Sequence, residues 1–286
     1  MVMIKRYVAI VCNPKSGKGK PLKVLTQFEN FLSQHGFLYQ TYIHNMPKHL
    51  NGFTDLVILG GDGTVNYVIN HFKDITIPIG IIASGTGNDI ALSMHPKRNL
   101  HQQFEAVIFG NEQQVDAGIC NNKLFLNGVG IGFDGWVVKR LLAKRIFNGK
   151  AAYYSTVLTL LAFYKESAVT ICVDDITFNA NLFMLSAANF QTYGGGFRVA
   201  PHAITDDGLL DIITISKLPF WKRLKYLPVI EKGHHLNNKL PFVQFHHSKK
   251  ITLTATKTLH AHLDGEHMEA QEFTIEILPH KYTFRF

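Results

Sequence analysis

The stretch Leu56-Val57-Ile58-Leu59-Gly60-Gly61-Asp62-Gly63-Thr64-Val65 decides the fold class. An aliphatic run ends in a glycine-rich turn, and Val65, Val68, Ile69 and Phe72 then recur at i, i+3, i+4 and i+7, the spacing of one helical face. The same order appears earlier. Tyr7 to Cys12 leads into Asn13-Pro14-Lys15-Ser16-Gly17-Lys18-Gly19-Lys20, after which Leu22, Leu25, Phe28 and Leu32 share a helical face. It appears again later, where Ile79 to Ile82 leads into Ser84-Gly85-Thr86-Gly87-Asn88-Asp89 and a short apolar segment. Three strand-loop-helix units predict an open α/β domain with a parallel sheet. Its polar loops lie together at one sheet edge, where such folds bind ligands.

After about residue 118 the period changes to two. Ile251, Leu253, Ala255, Leu259, Ala261 and Leu263 alternate with polar residues, and Phe273, Ile275 and Ile277 repeat the pattern. The expected organisation is an α/β domain over 1–118 and a mainly antiparallel β domain over 119–286, with the last residues free to pack back on the first domain. Two basic amphipathic stretches, Val137 to Lys150 and Lys217 to Lys232, read as helices.

Composition narrows the function classes. With 46% hydrophobic and 17% charged residues, the 286-residue chain is neither disordered nor fibrous. A formal charge of +8 points to phosphates, nucleic acid or an anionic membrane face. No nucleic-acid motif accompanies it, and the aromatics fall mostly at apolar periodic positions, so no nucleic-acid partner is expected. Tyr7 to Cys12 is too short for a signal-peptide core. Tyr153 to Tyr164, interrupted by Ser155, Thr156 and Thr159, falls short of the roughly 20 residues of a membrane span. Cys12, Cys120 and Cys172 lack metal-ligand spacing and read as buried thiols of a reducing compartment. The expected location is cytoplasmic.

The loops carry the chemistry. Asn13 to Lys20 offers backbone N–H groups and lysines at a strand end, which suits a polyphosphate, although it lacks the Walker spacing. An isolated Asp62 would repel phosphate, and a Mg²⁺ between them removes the conflict. The plainer reading is a helix N-terminal aspartate in a tight turn. Asp264-Gly265-Glu266, at the end of an alternating run, reads equally as a hairpin turn and as the carboxylate that phosphoryl transfer to a hydroxyl needs.

Taken together these residues resemble the diacylglycerol kinase catalytic family, which includes bacterial lipid kinases and sphingosine kinases. The resemblance runs through Asn13-Pro14 with Ser16-Gly17, Gly60 to Thr64 with Asn66, Gly85 to Asp89, Phe125-Leu126-Asn127 with Gly130, Gly132, Phe133 and Asp134, Gly194 to Gly196 with Ala200-Pro201, Asp206 to Asp211, and Asp264 to Glu266. It implies an NAD kinase-like α/β domain plus a β-sandwich domain, with the active site between them, and an ATP- and Mg²⁺-dependent lipid kinase. It implies that Asn13, Pro14, Lys15, Ser16, Gly17, Lys18, Gly60, Gly61, Asp62, Gly63, Thr64, Asn66 and Thr86 bind ATP. Glu266 is then the proton acceptor, assisted by Asp264, and Asp207 with carbonyls of Ile204 and Leu209 resembles a structural magnesium site. On this reading Glu266→Gln and Asp264→Asn lose turnover while folding stays intact. The partner is a lipid at a membrane surface, met by peripheral contact through Phe220, Trp221, Lys222, Arg223 and Lys225; a homodimer is compatible. Tyr67 and Ala83 stand where the family usually has glutamate and proline, and a nucleotide-touching threonine would fall near His44. An NAD kinase and a non-catalytic sensing module on the same fold remain as alternatives.

Overall fold

The computed structural model describes residues 6–85, 87–95, 97–144, 149–237 and 240–286. They form two compact units, Met1–Val115 with His280–Phe286, and Asp116–Pro279. The division falls at Val115, near the expected residue 118, and the last seven residues belong to the first unit.

In the first unit, β1 (Tyr7–Cys12), α1 (Lys20–Gln34), β2 (Leu38–Tyr42), β3 (Asp55–Gly60), α2 (Asp62–His71), β4 (Ile79–Ala83), α3 (Asp89–Met94) and α4 (Leu100–Phe109) follow in chain order. The strands are parallel in the order β2-β1-β3-β4, and Phe284 extends the sheet beside Ile79. Every residue of β3 is buried, as a strand covered on both faces requires. Pro21 sits in the first turn of α1, where its missing N–H costs nothing. The buried stripe of α1 is Val24, Leu25, Phe28, Phe31 and Leu32; Leu22 is 41% exposed, so the expected face is rotated by part of a turn.

The second unit contains most of β5 (Glu112–Cys120), then β6 (Lys123–Phe125), β7 (Gly128–Gly132), α5 (Phe133–Lys144), α6 (Gly149–Phe163), β8 (Ser167–Val173), β9 (Ile176–Ala188), β10 (Leu210–Ser216), α7 (Phe220–Glu231), β11 (Val243–Ser248), β12 (Lys250–Leu263) and most of β13 (Glu266–Arg285). Its strands run antiparallel in the order β11-β10-β9-β7-β12-β13, and β8 pairs with both β9 and β12. Alternate residues of β9 and β10 enter two cores. Leu185 and Ile212 pack with Val129, Ile171, Leu253 and Phe273, whereas Met184 and Ile213 pack with Phe133, Val137, Leu161 and Leu227 from the helices. With both faces covered, β9 and β10 lose the alternation seen along β12.

Of the stretch Val137 to Lys150, expected to be helical, the described residues lie in α5, to Lys144, and in α6, from Gly149, which also contains most of the apolar run from Tyr153; residues 145–148 lie outside the described residues. One sequence expectation changes. Cys172 is half-buried, unlike Cys12 and Cys120, because it alternates with the inward Ile171 and Val173 along β8. No helix among the described residues is long and apolar enough to cross a membrane.

One buried carboxylate ties the first unit's two chain ends together. Asp55, 2% exposed at the start of β3, accepts from Arg6 Nε at 3.0 Å and Nη2 at 2.6 Å, from the Thr54 hydroxyl at 2.7 Å, and from Arg285 near the C-terminus. Burial alone would raise its pKa, but the bonds from Arg6 and Thr54 and the charges of both arginines hold it below the usual carboxylate value. A lowered folded pKa means stability that is present above the unfolded value and lost as the pH falls through the folded one. Asp55→Asn is expected to lower stability at pH 7 by about 3 kcal/mol and to flatten the acid limb of the curve. Urea melts of both proteins from pH 7 to pH 3 check this; parallel curves would contradict it.

Candidate active site

The three glycine-rich loops of the first unit are fastened to one another. Ser84 N–H donates to Gly60 O at 3.1 Å and Asp62 N–H to Gly87 O at 3.3 Å. The Asp62 carboxylate accepts from the N–H groups of Asp89 and Ile90, both at 3.1 Å, and so caps α3 from the neighbouring loop. Asn13 Nδ2 donates to Thr64 Oγ1 at 3.1 Å, while Asn13 Oδ1 accepts from Lys15 N–H at 3.1 Å. A Cβ on Gly61 would lie 2.4 Å from Gly87 O, and one on Gly17, whose φ is +53°, would lie 2.3 Å from Ser84 O. These glycines are required for loop-to-loop contact before any ligand is considered.

The sequence-predicted nucleotide residues are thus partly brought together. Asn13, Ser16, Gly17, Gly60, Gly61, Asp62, Gly63 and Thr64 share the cluster, and Pro14 and Lys15 border it with Lys15 exposed. Asn66, on α2, is 9% exposed and accepts from Asn70 Nδ2 at 3.2 Å. Its spacing from Gly63 fits the buried helix face. Lys18 lies in the 3-10 turn Ser16–Gly19, and Thr86 lies outside the described residues. Asp62 is committed to α3 through both oxygens, and a carboxylate retains lone pairs beyond two such bonds for a metal-bound phosphate.

In the second unit, Asp264-Gly265 is a two-residue hairpin turn between β12 and β13, with Leu263 opposite Glu266. Both residues have positive φ, +48° and +88°, the conformation that favours Asp-Gly in this position. Asp264 is 8% exposed, and its carboxylate accepts from the N–H groups of Leu126 at 2.8 Å, Asn127 at 2.9 Å and Gly128 at 3.1 Å. Glu266 is exposed at the first position of β13. The hairpin and the catalytic readings of this motif are compatible: one carboxylate builds the turn and the other is presented by it. Asp264 accordingly holds the turn from which Glu266 projects.

The loop carrying Ile204, Asp207 and Leu209 is also built by carboxylates. Asp207 Oδ1 accepts from Leu209 N–H at 2.9 Å, and the fully buried Asp116 accepts from Gly208 N–H at 2.7 Å. Carboxylate and carbonyl oxygens, such as these three residues carry, are the donor type magnesium takes. Next to it, burial pushes the Asp211 carboxyl up to about 6, opposed by His247 3.1 Å away.

A feature that received no role in the sequence reading is an apolar cavity of the second unit, walled by Phe133, Val157, Phe183, Met184, Phe197 and Leu227 with Asp134 in its lining. Asp134 accepts from the Tyr193 hydroxyl at 3.0 Å, and burial raises its pKa to about 6 against that bond. Asp134 stands in the sequence among the residues that carry the family resemblance, next to Phe133 at the start of a helix, with nothing there to mark a cavity. Arg223 also lines this cavity. It is not an exposed membrane anchor, because it is 9% exposed, pairs with Glu166 at 2.7 Å and donates to the carbonyls of Leu161, Tyr164 and Leu218. The exposed large apolar residues of α7 are Phe220, Trp221 and Leu224.

The bonding of Asp264 revises the expectation that its amide variant folds intact. Asparagine would turn an –NH₂ group toward backbone N–H donors, so Asp264→Asn is expected to cost about 2–4 kcal/mol of stability. Glu266→Gln, at an exposed position, should leave stability within about 0.5 kcal/mol. Thermal and urea unfolding of the two variants side by side checks this, and equal melting would remove the structural role of Asp264.

Residues 7–120 match the diacylglycerol kinase catalytic domain, and residues 127–284 match the YegS C-terminal NAD kinase beta sandwich-like domain. A diacylglycerol kinase of Mycobacterium tuberculosis is 29% identical over 275 residues, covering 90% of this chain and 85% of that protein. A crystal structure of a diacylglycerol kinase from Bacillus anthracis superposes with a TM-score of 0.75 at 20% identity, covering 100% of this chain and 98% of that one. An NAD kinase from Archaeoglobus fulgidus, solved with ATP, shares the fold at a TM-score of 0.56 and 16% identity, covering 98% and 93%. With two domains matched in order, the second across more than half its length, the chain belongs to the family that joins a diacylglycerol kinase catalytic domain to a YegS-type C-terminal β-sandwich.

Proposed function

We propose that this protein is a lipid kinase that transfers the terminal phosphoryl group of ATP to the hydroxyl of diacylglycerol or a related lipid alcohol. The observation that carries the reading is the turn at Asp264-Gly265, which three backbone N–H groups immobilise and which presents Glu266 to solvent. Phosphoryl transfer needs little covalent help from a protein beyond positioning, charge stabilisation and a carboxylate for the hydroxyl proton. In the proposed reaction Glu266 accepts that proton as the acceptor oxygen bonds to phosphorus and the bond to the β-phosphate oxygen breaks, releasing ADP. Asn13 to Lys18 and Gly60 to Thr64 hold the phosphates through backbone N–H groups. Mg²⁺, when bound, would screen phosphate charge near Asp62, and a second ion would brace the loop at Ile204, Asp207 and Leu209. The names of the relatives support a lipid acceptor, as does the apolar cavity with its single carboxylate.

Glu266→Gln is expected to lower kcat by at least about 100-fold while nucleotide affinity changes less than about twofold. Turnover assays with mixed-micelle diacylglycerol, alongside nucleotide titration, check this split. Retained turnover would displace Glu266 from the role.

Reaching an insoluble acceptor requires a membrane face, and we assign it to α7. Phe220, Trp221 and Leu224 are 46%, 60% and 39% exposed, with Lys222 and Lys225 beside them. Apolar groups at i, i+1 and i+4 flanked by lysines suit an interfacial helix on anionic lipid. Trp221→Ala should weaken binding to anionic vesicles at any salt, and each of Lys222→Gln and Lys225→Gln by about fivefold at low salt. Vesicle co-sedimentation at two salt concentrations measures both; unchanged binding throughout would exclude α7.

A further inference from the structure

The β12–β13 hairpin carries a second group of chemically competent side chains beyond its turn. In the antiparallel register His260 lies opposite Glu269 and His262 opposite His267. Directly opposed residues share a sheet face, so all four project to the same side. His262 is buried and engaged with the turn, accepting from Gly265 N–H at 3.4 Å. The other three are partly open, with side-chain exposures of 23% for His260, 19% for His267 and 40% for Glu269. Their ligand atoms converge. His260 Nδ1 is 3.2 Å from Glu269 Oε1, His267 Nε2 is 3.7 Å from the same oxygen, and the two imidazole nitrogens are 3.4 Å apart.

We propose that His260 Nδ1, His267 Nε2 and Glu269 Oε1 form a binding site for a divalent transition metal of the zinc class, with the fourth position open to water. Ligands about 2.0–2.1 Å from a tetrahedral ion lie about 3.3 Å from one another, which is the spacing these atoms already have. Two imidazoles and one carboxylate select zinc-like ions over magnesium or calcium, which require an all-oxygen shell. Burial, together with the Lys139 charge, lowers the pKa of both histidines against the pull of Glu269. This site is separate from the magnesium positions proposed above in both ligands and chemistry.

Lys139 of α5 shares one of the proposed ligand atoms, Glu269 Oε1, and meets His260 at Nε2, the ring nitrogen that is not a proposed ligand. Its Nζ is 3.0 Å from Glu269 Oε1 and 3.3 Å from His260 Nε2. The side chain is 43% exposed and long enough to swing into solvent, so the ammonium competes with a metal without blocking it. A metal here would cross-link β12 and β13 below the turn that presents Glu266, where a lysine contributes only a solvent-screened ion pair.

The test uses the full chain, purified with chelator and then titrated with Zn²⁺ by calorimetry and with Co²⁺ as a visible probe of coordination number. The expected result is one equivalent of Zn²⁺ per chain and intense four-coordinate Co²⁺ bands. His260→Gln and His267→Gln should each weaken Zn²⁺ by about tenfold or more and abolish those bands. Lys139→Met, which removes the competitor and touches no proposed ligand, should tighten Zn²⁺ binding. Circular dichroism establishes that each variant is folded. Absence of stoichiometric Zn²⁺ binding by wild type, or equal affinity in the wild type and both histidine variants, would overturn the assignment. With 15 histidines in the chain, binding elsewhere is read by the latter outcome.

Discussion

The organisation of the first unit depends on one carboxylate. Asp62 begins α2 and at the same time holds the N–H groups of Asp89 and Ile90 at the start of α3, so two loops that are distant in sequence become one surface. Gly61 makes this approach feasible, because any Cβ there would run into Gly87 O. Asn13 extends the same fastening to the first loop through Thr64. The result is a set of N–H-bearing turns whose spacing is fixed before a ligand arrives, which is the preorganisation that phosphate stabilisation calls for. The glycines therefore serve the fold first and, in the proposed function, the phosphates through it.

The second unit applies the same device to its own turn. Asp264 adopts positive φ and takes three N–H groups from the segment leading into β7, leaving Glu266 as the carboxylate with open access. Two neighbouring acids thus differ: one is spent on geometry, and the other, in the proposed reaction, serves chemistry. Asp116 repeats the structural role at Gly208, where it holds the loop that bears Asp207. Buried carboxylates bound to main-chain N–H groups are costly to remove, since loss of the acceptor strands buried donors.

Much of this was legible in the sequence because it rests on local chemistry. The strand-loop-helix order around Gly17, Gly61 and Gly85 fixed the α/β class, and Asp264-Gly265 gave the hairpin turn by its conformational preference alone. What was illegible depends on tertiary contact. Asp62 reads as a local helix-start residue, and nothing near it in sequence announces that its partners are Asp89 and Ile90. Arg223 looks like one more surface cation in a basic run, and only the arrival of Glu166 and the Leu161 carbonyl buries it. Asp134 is a motif residue whose apolar surroundings come from β9, α6 and α7, elements far along the chain. The helical register of α1 failed at Leu22 because the sheet, and not periodicity, sets which side is covered.

The central claim is that the chain phosphorylates a lipid and not a dinucleotide on a fold that NAD kinases share. Incubation with ATP labelled at the γ-phosphate, magnesium, NAD and diacylglycerol in mixed micelles, followed by phase partition, tests it in one experiment. The account predicts that label enters the organic phase as phosphorylated lipid and that none appears in a dinucleotide. Label recovered in NADP, with none in the lipid phase across a panel of diacyl, monoacyl and sphingoid alcohols, would contradict it.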